Sequence, residues 1–140
     1  MVRVTNTEIK ASCHRVVQPG DCATQWGNAG LEVLSTPAIL GNMERLCAEA
    51  LTGYLESDEM TVGVAATLNH RAPTPLGATV EYRVRTAGVD RKIGFEFEVR
   101  DAHGTVVCDG THLRAVIDAT GFRRKVAELA AHEPAKVVSP

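Results

Sequence analysis

No stretch of this 140-residue chain approaches the 18 or so consecutive apolar residues that a membrane-spanning helix needs. The opening MVRVTNTEIK has no apolar core of the signal-peptide kind, so a cytoplasmic protein without a membrane partner is expected. An excess of positive charge is also missing. With a formal net charge of -2, a pI near 6.2 and no clustered basic face, a nucleic-acid partner is excluded on electrostatic grounds. The four cysteines, Cys13, Cys22, Cys47 and Cys108, contain no C-x-x-C pair; Cys47 and Cys108 stand in apolar patterns that suit buried free thiols. His70, His103 and His112 have no second ligand at helix or turn spacing, so neither a metal nor another cofactor is expected. Repeats, low-complexity tracts and interdomain linkers are absent, and the length suits one domain over 1–140.

What is present is one long amphipathic segment, Ser35 to Leu55. Thr36 is a candidate cap, and Pro37 fits a first helical turn, where its missing N–H had no intrahelical partner. At about 100° per residue, Leu40, Met43, Cys47, Ala50, Leu51 and Tyr54 form one stripe, opposite Asn42, Arg45, Glu49 and Glu56. Glu44 violates the pattern, projecting within about 40° of Leu40. A carboxylate aimed at a core costs several kcal/mol unless it is paired or lies in a cavity. It either snorkels from the edge of the stripe or has a use there.

The rest reads as strands. Glu8 to Val17 is a candidate edge strand ending at Pro19-Gly20, and Asp21 to Leu34 is a glycine-bearing loop and candidate lid. Thr61 to His70 alternates, with Val62, Val64, Ala66, Leu68 and His70 sharing a parity, which puts a histidine on an apolar face. In Ala78 to Arg85 and Ile93 to Arg100, Val80, Tyr82, Val84, Ile93, Phe95, Phe97 and Val99 form one face opposite charged neighbours. His103 falls in a polar hairpin turn, DAHG. Thr105 to Ile117 changes phase between Cys108 and Leu113, which places a bulge near Gly110. FRRKVAELAAH forms a short helix, and EPAKVVSP a frayed tail. The short connections favour an antiparallel sheet.

Strand, loop, long apolar helix and four antiparallel strands follow one another in the order of the hot dog fold, an α+β architecture with a curved sheet of about five strands wrapped around one long central helix, here with a short C-terminal helix. The segments TPAILGNME from Thr36, GVAATLNH from Gly63 to His70 and GTHLRAVI from Gly110 to Ile117 resemble the fluoroacetyl-CoA thioesterase type of hot dog protein. The resemblance implies a catalytic set of Thr36, Glu44 and His70, a glycine approaching the substrate at Gly63, and a substrate-binding role for Arg114. It also implies an acyl-CoA substrate. Counted back from Thr36, the aromatic lid positions of the fluoroacetyl-selective members fall on Gly27 and Gly30. Only Trp26 is near enough in sequence to take over part of a gate, so a short or medium acyl-CoA is the expected substrate.

Thioester hydrolysis needs a water or carboxylate to attack, a base, and donors for the developing oxyanion. Glu44 can be nucleophile or base, His70 can exchange protons, and Thr36 can orient Glu44 or the attacking water. In regular helix, Thr36 and Glu44 would stand about 12 Å apart along the axis. Either Thr36 lies on an irregular turn, or one site draws on two subunits. The exposed edge of a one-helix, one-sheet unit independently predicts a homodimer. The competing function is a hot dog protein that binds an acyl-CoA or a small aromatic or acyl ligand without turnover; the Asp-His segment of a hydratase is not found.

Overall fold

The computed structural model describes residues 2–134. The elements run β1 (Ile9–Val16), α1 (Thr36–Leu51), β2 (Glu59–His70), β3 (Thr79–Thr86), β4 (Lys92–Asp101), β5 (Val106–Asp118) and α2 (Ala119–Ala131). Short 3-10 turns occupy Pro19–Asp21, Ala23–Trp26 and Thr52–Tyr54. The strands form one antiparallel sheet in the order β1-β3-β4-β5-β2. β1 and β2 are therefore its opposite edges, yet both contact α1. Five strands at about 4.8 Å spacing would hold flat edges near 19 Å apart, wider than a helix with its side chains. The sheet must curl around α1, which is the hot dog arrangement. Among the described residues no helix is long and apolar enough to cross a membrane.

The core is the seam between that helix and the concave face. Ile39, Met43, Leu46, Cys47 and Leu51 of α1 are buried against Val80, Tyr82, Val84, Ile93, Phe95, Phe97 and Val99 of β3 and β4, the face expected from alternation. Leu40, Ala50 and Tyr54, placed on the helix stripe, pack only partly. The helix is shorter than Ser35 to Leu55, because the chain tightens into the 3-10 turn after Leu51. Its cap is Ser35 and not Thr36: the Ser35 hydroxyl accepts from the Ala38 N–H at 3.2 Å. Thr36 thus enters the first turn with its own hydroxyl uncommitted to capping.

Two strand expectations need correction. The bulge lies in β2, where the register shifts between Gly63 and Ala65, and not at Gly110, which pairs in unbroken register with Leu68 and Phe97. A second shift falls between Val99 and Arg100 of β4. The apparent phase change in β5 has another cause: His112 and Arg114 point inward and are buried, in step with Cys108 and Val116, while Leu113, Ala115 and Ile117 take the other face. In β2 the bulge inverts the parity. Thr61 and Gly63 oppose Val116 and Arg114, then Ala66 opposes His112, and Val64 is left 54% exposed. Gly110 has its own steric reason, since a β-carbon there would run into the Thr67 carbonyl oxygen and approach the Phe97 ring at 2.9 Å. The expected tail lies, from residue 135 onward, outside the described residues.

Candidate active site

Freed from capping, the Thr36 hydroxyl reaches the end of β2, where its Oγ1 lies 2.9 Å from His70 Nδ1 in a hydrogen bond. Both residues are exposed. His70 sits opposite buried Cys108, at the last β2 position sharing the inward face. The bond can run either way, since a hydroxyl can donate to the ring nitrogen or accept from it. The other ring nitrogen, Nε2, makes no hydrogen bond among the described residues.

A second cluster forms about two helical turns further along α1. Glu44 is half-buried, and a β-carbon built on Gly63 would meet Glu44 Oε1 at 3.2 Å and His112 Cε1 at 3.1 Å. Glycine at 63 is what lets the strand lie this close to the carboxylate. Behind it, Arg114 Nε donates to Thr61 Oγ1 and Nη2 to the Thr61 carbonyl, each at 2.9 Å, and Nη1 lies 3.1 Å from His112 Nε2. His112 Nδ1 in turn lies 2.9 Å from the Ala65 carbonyl. Among the described residues the Glu44 carboxylate has no hydrogen bond or ion pair of its own.

Electrostatics follow from this burial. Desolvation lowers the Arg114 pKa, and the Glu44 charge opposes that shift. Desolvation also lowers that of His112, with the Arg114 charge adding to the drop while the Ala65 carbonyl and Glu44 counter it. The Cys47 thiol is pushed up to about 12, chiefly by burial, so it is inert at neutral pH. Among the described residues no group of three His, Cys, Asp or Glu could hold a metal ion.

The structure brings the sequence candidates together in two sets. Thr36 meets His70, and Glu44 meets Gly63 beside Arg114. Thr36 is the first residue of a continuous helix, so the irregular-turn route is closed and about 12 Å of helix axis separates the two sets within one protomer. Trp26 ends a 3-10 turn in the loop, 49% exposed, and makes no side-chain hydrogen bond among the described residues. The loop is tied at its neck by the bridges Cys22 to Leu34 and Val33 to Pro75. Gly27 and Gly30, where the resemblance would put the lid positions, have φ of 88° and 81°, a region that disfavours any larger residue. The groove of about 940 Å³ on the outer face of the sheet, among Arg85, Glu96, Glu98 and Asp109, shares no residue with either set, and its charges are spent on pairs such as Arg85–Glu96 at 2.6 Å. Sequence reasoning missed His112 and the Thr61 contact; the signal was the parity that His112 and Arg114 share with Cys108.

Comparison with known proteins agrees with this fold. The family model described as fluoroacetyl-CoA-specific thioesterase, FlK, matches residues 17–120. The fluoroacetyl-CoA thioesterase of Streptantibioticus cattleyicolor is 35% identical over 98 residues, 69% of this chain and 70% of that protein. A hot-dog-like protein from Thermanaerovibrio acidaminovorans superposes with a TM-score of 0.80 at 27% identity, covering 88% of this chain and 91% of the other. A single-residue variant of FlK, crystallised with fluoroacetate and CoA, gives 0.76 at 28% identity, covering 84% and 99%. With the family model spanning most of its length and both site clusters inside the match, this chain belongs to the fluoroacetyl-CoA-specific thioesterase family of hot dog proteins.

Proposed function

We propose that this protein is an acyl-CoA thioesterase that hydrolyses a short or medium acyl-CoA thioester to the free acid and CoA, using Thr36, Glu44 and His70 in a site assembled from two copies of the chain. The observation that carries the reading is the split itself: a Thr–His couple at one end of β2 and an unpaired carboxylate beside a glycine at the other.

β2 supplies the means of joining them. It is an edge strand with residues 63–67 exposed, and an unpaired edge is a template for another strand. With Val64 as the extra residue of the bulge, Gly63 and His70 lie the same number of pairing positions either side of Thr67. Antiparallel pairing of two β2 strands about Thr67 therefore sets Gly63 of each protomer opposite the partner's His70, with both side-chain positions on the inward face. Glu44 then reaches a thioester carbonyl that the Thr36–His70 couple approaches from the other side.

The chemistry balances with water alone. Glu44 either removes the proton from the water that attacks the carbonyl carbon, or attacks it directly to form an acyl–Glu44 anhydride that a water then hydrolyses to the free acid and the restored carboxylate; the C–S bond breaks, His70 Nε2 hands a proton to the departing CoA thiolate, and the proton released from the water restores His70. Thr36 fixes the ring orientation through Nδ1. Two of the five N–H groups of Arg114 have no protein acceptor among the described residues and are available to the acyl end of the substrate. Family membership and the CoA complex of the FlK variant support CoA as the carrier.

Thiol release across a panel of acyl-CoAs, with an enoyl-CoA included, tests the activity; binding without release of thiol would overturn it. Mixing tests the assembly. Glu44→Gln and His70→Ala proteins, each inactive alone, should on co-refolding recover about a quarter of wild-type activity, because half the dimers are mixed and each carries one intact site. Continued inactivity of the mixture would refute the two-copy site.

A further inference from the structure

Resting on the reading of Glu44 and Arg114 as the acyl half of the site, we propose that His112 is a positioning residue, which holds the Arg114 guanidinium in place by accepting its Nη1 hydrogen bond while bracing the β2 bulge that carries Gly63.

The tautomer follows from the contacts. The Ala65 carbonyl can only accept, so His112 Nδ1 carries the proton of their 2.9 Å contact. Nε2, 3.1 Å from Arg114 Nη1, faces a group that can only donate, so it must present its lone pair. A protonated ring would turn two donors and two positive charges on each other in a buried setting, His112 being 2% and Arg114 6% exposed. His112 is thus a neutral acceptor with one allowed tautomer, and the direction of its shift, downward through burial, agrees.

The need for such an acceptor is equally physical. A buried guanidinium is costly without partners, and among the described residues no carboxylate lies in ion-pair range of Arg114. Its three committed donors go to two oxygens of Thr61 and to His112. The Thr61 contacts fix one edge of the plane; His112 fixes the other, and without it the group can pivot about Thr61. The ring also bridges two strands. Ala65 is the first residue past the register shift, and His112 Cε1 packs against the position of Gly63, so one imidazole ties the bulge, the glycine and the guanidinium to common coordinates. Misplacement of a binding group by about 1 Å can cost about 10²-fold in rate.

The test compares two replacements in the full-length protein. His112→Gln places an amide acceptor near Nε2, whereas His112→Asn reproduces the Nδ1 donor and leaves Arg114 without its acceptor. His112→Asn should lose roughly 10–100-fold in kcat/KM, while His112→Gln recovers towards wild type, with the two matched in Tm. A purely structural role would make activity follow Tm instead. The second arm is a double-mutant cycle: in an Arg114→Ala background, His112→Asn should cost less than about twofold, because the group it positions is gone. Full multiplicative loss in that background, or an Asn variant as active as the Gln variant, overturns the proposal and leaves the thioesterase reading intact. An Arg114→Ala protein with wild-type kcat/KM instead overturns the placement of Arg114 in the site, and the positioning role with it.

Discussion

Gly63 and Glu44 stand so close that a β-carbon on the glycine would lie 3.2 Å from the carboxylate oxygen. That separation is tight but not a collision, and the carboxylate is the mobile end of a side chain. Gly63→Ala should therefore fold, with Glu44 and the His112 ring, whose Cε1 would lie 3.1 Å from the new β-carbon, each displaced by a few tenths of an ångström. We expect kcat to fall by about 10-fold or more with only a small change in Tm, measured by steady-state thiol release and thermal denaturation of the same sample.

Glu44→Gln retains shape and hydrogen-bonding capacity but removes the charge. Loss of a base or nucleophile typically costs about 10²–10⁴ in kcat, while the fold should survive, since an amide is cheaper to bury than an unpaired carboxylate. A stable, fully active Glu44→Gln protein would end the catalytic assignment.

The lid backbone bears on substrate choice. Because Gly27 and Gly30 occupy left-handed conformations, no aromatic gate stands at these positions and fluoroacetyl-CoA should show little preference over acetyl-CoA. Comparing kcat/KM for the two substrates checks this. Gly27→Phe should lower stability by strain instead of raising selectivity, and a large preference in the wild type would show that Trp26 closes the gate after all.

Acid should weaken the fold through His112. Its pKa is depressed in the folded state, whereas the unfolded chain takes up a proton near 6.5. As pH falls below about 6.5 the unfolded state binds a proton that the native state refuses, so stability declines with falling pH over that window. Urea titrations from pH 7 to pH 5 should show a shallower decline for His112→Gln than for wild type. Parallel curves would mean that His112 does not carry the effect.

The short-range grammar of the chain was legible. Periodicity gave the helix from its Ser35-Thr36-Pro37 start, alternation gave the inward faces of β3 and β4, and the antiparallel sheet followed from connection lengths. Glu44 and His70 were visible as ionisable residues on apolar faces, and both lie beside a second site candidate in the structure. Three features needed the third dimension. Ser35 and Thr36 are both competent caps, and only the position of His70 across the helix start shows why the serine caps and the threonine does not. His112 and Arg114 look like outward residues in any count of hydrophobicity, because their burial is offset by Thr61 and the Ala65 carbonyl, partners about 50 positions away. The bulge at Val64 is a mismatch between β2 and β5, so neither strand alone records it. Local sequence sets the period of each element from its own backbone, but register, and with it which polar groups meet, is a property of pairs of strands that only the packed sheet decides.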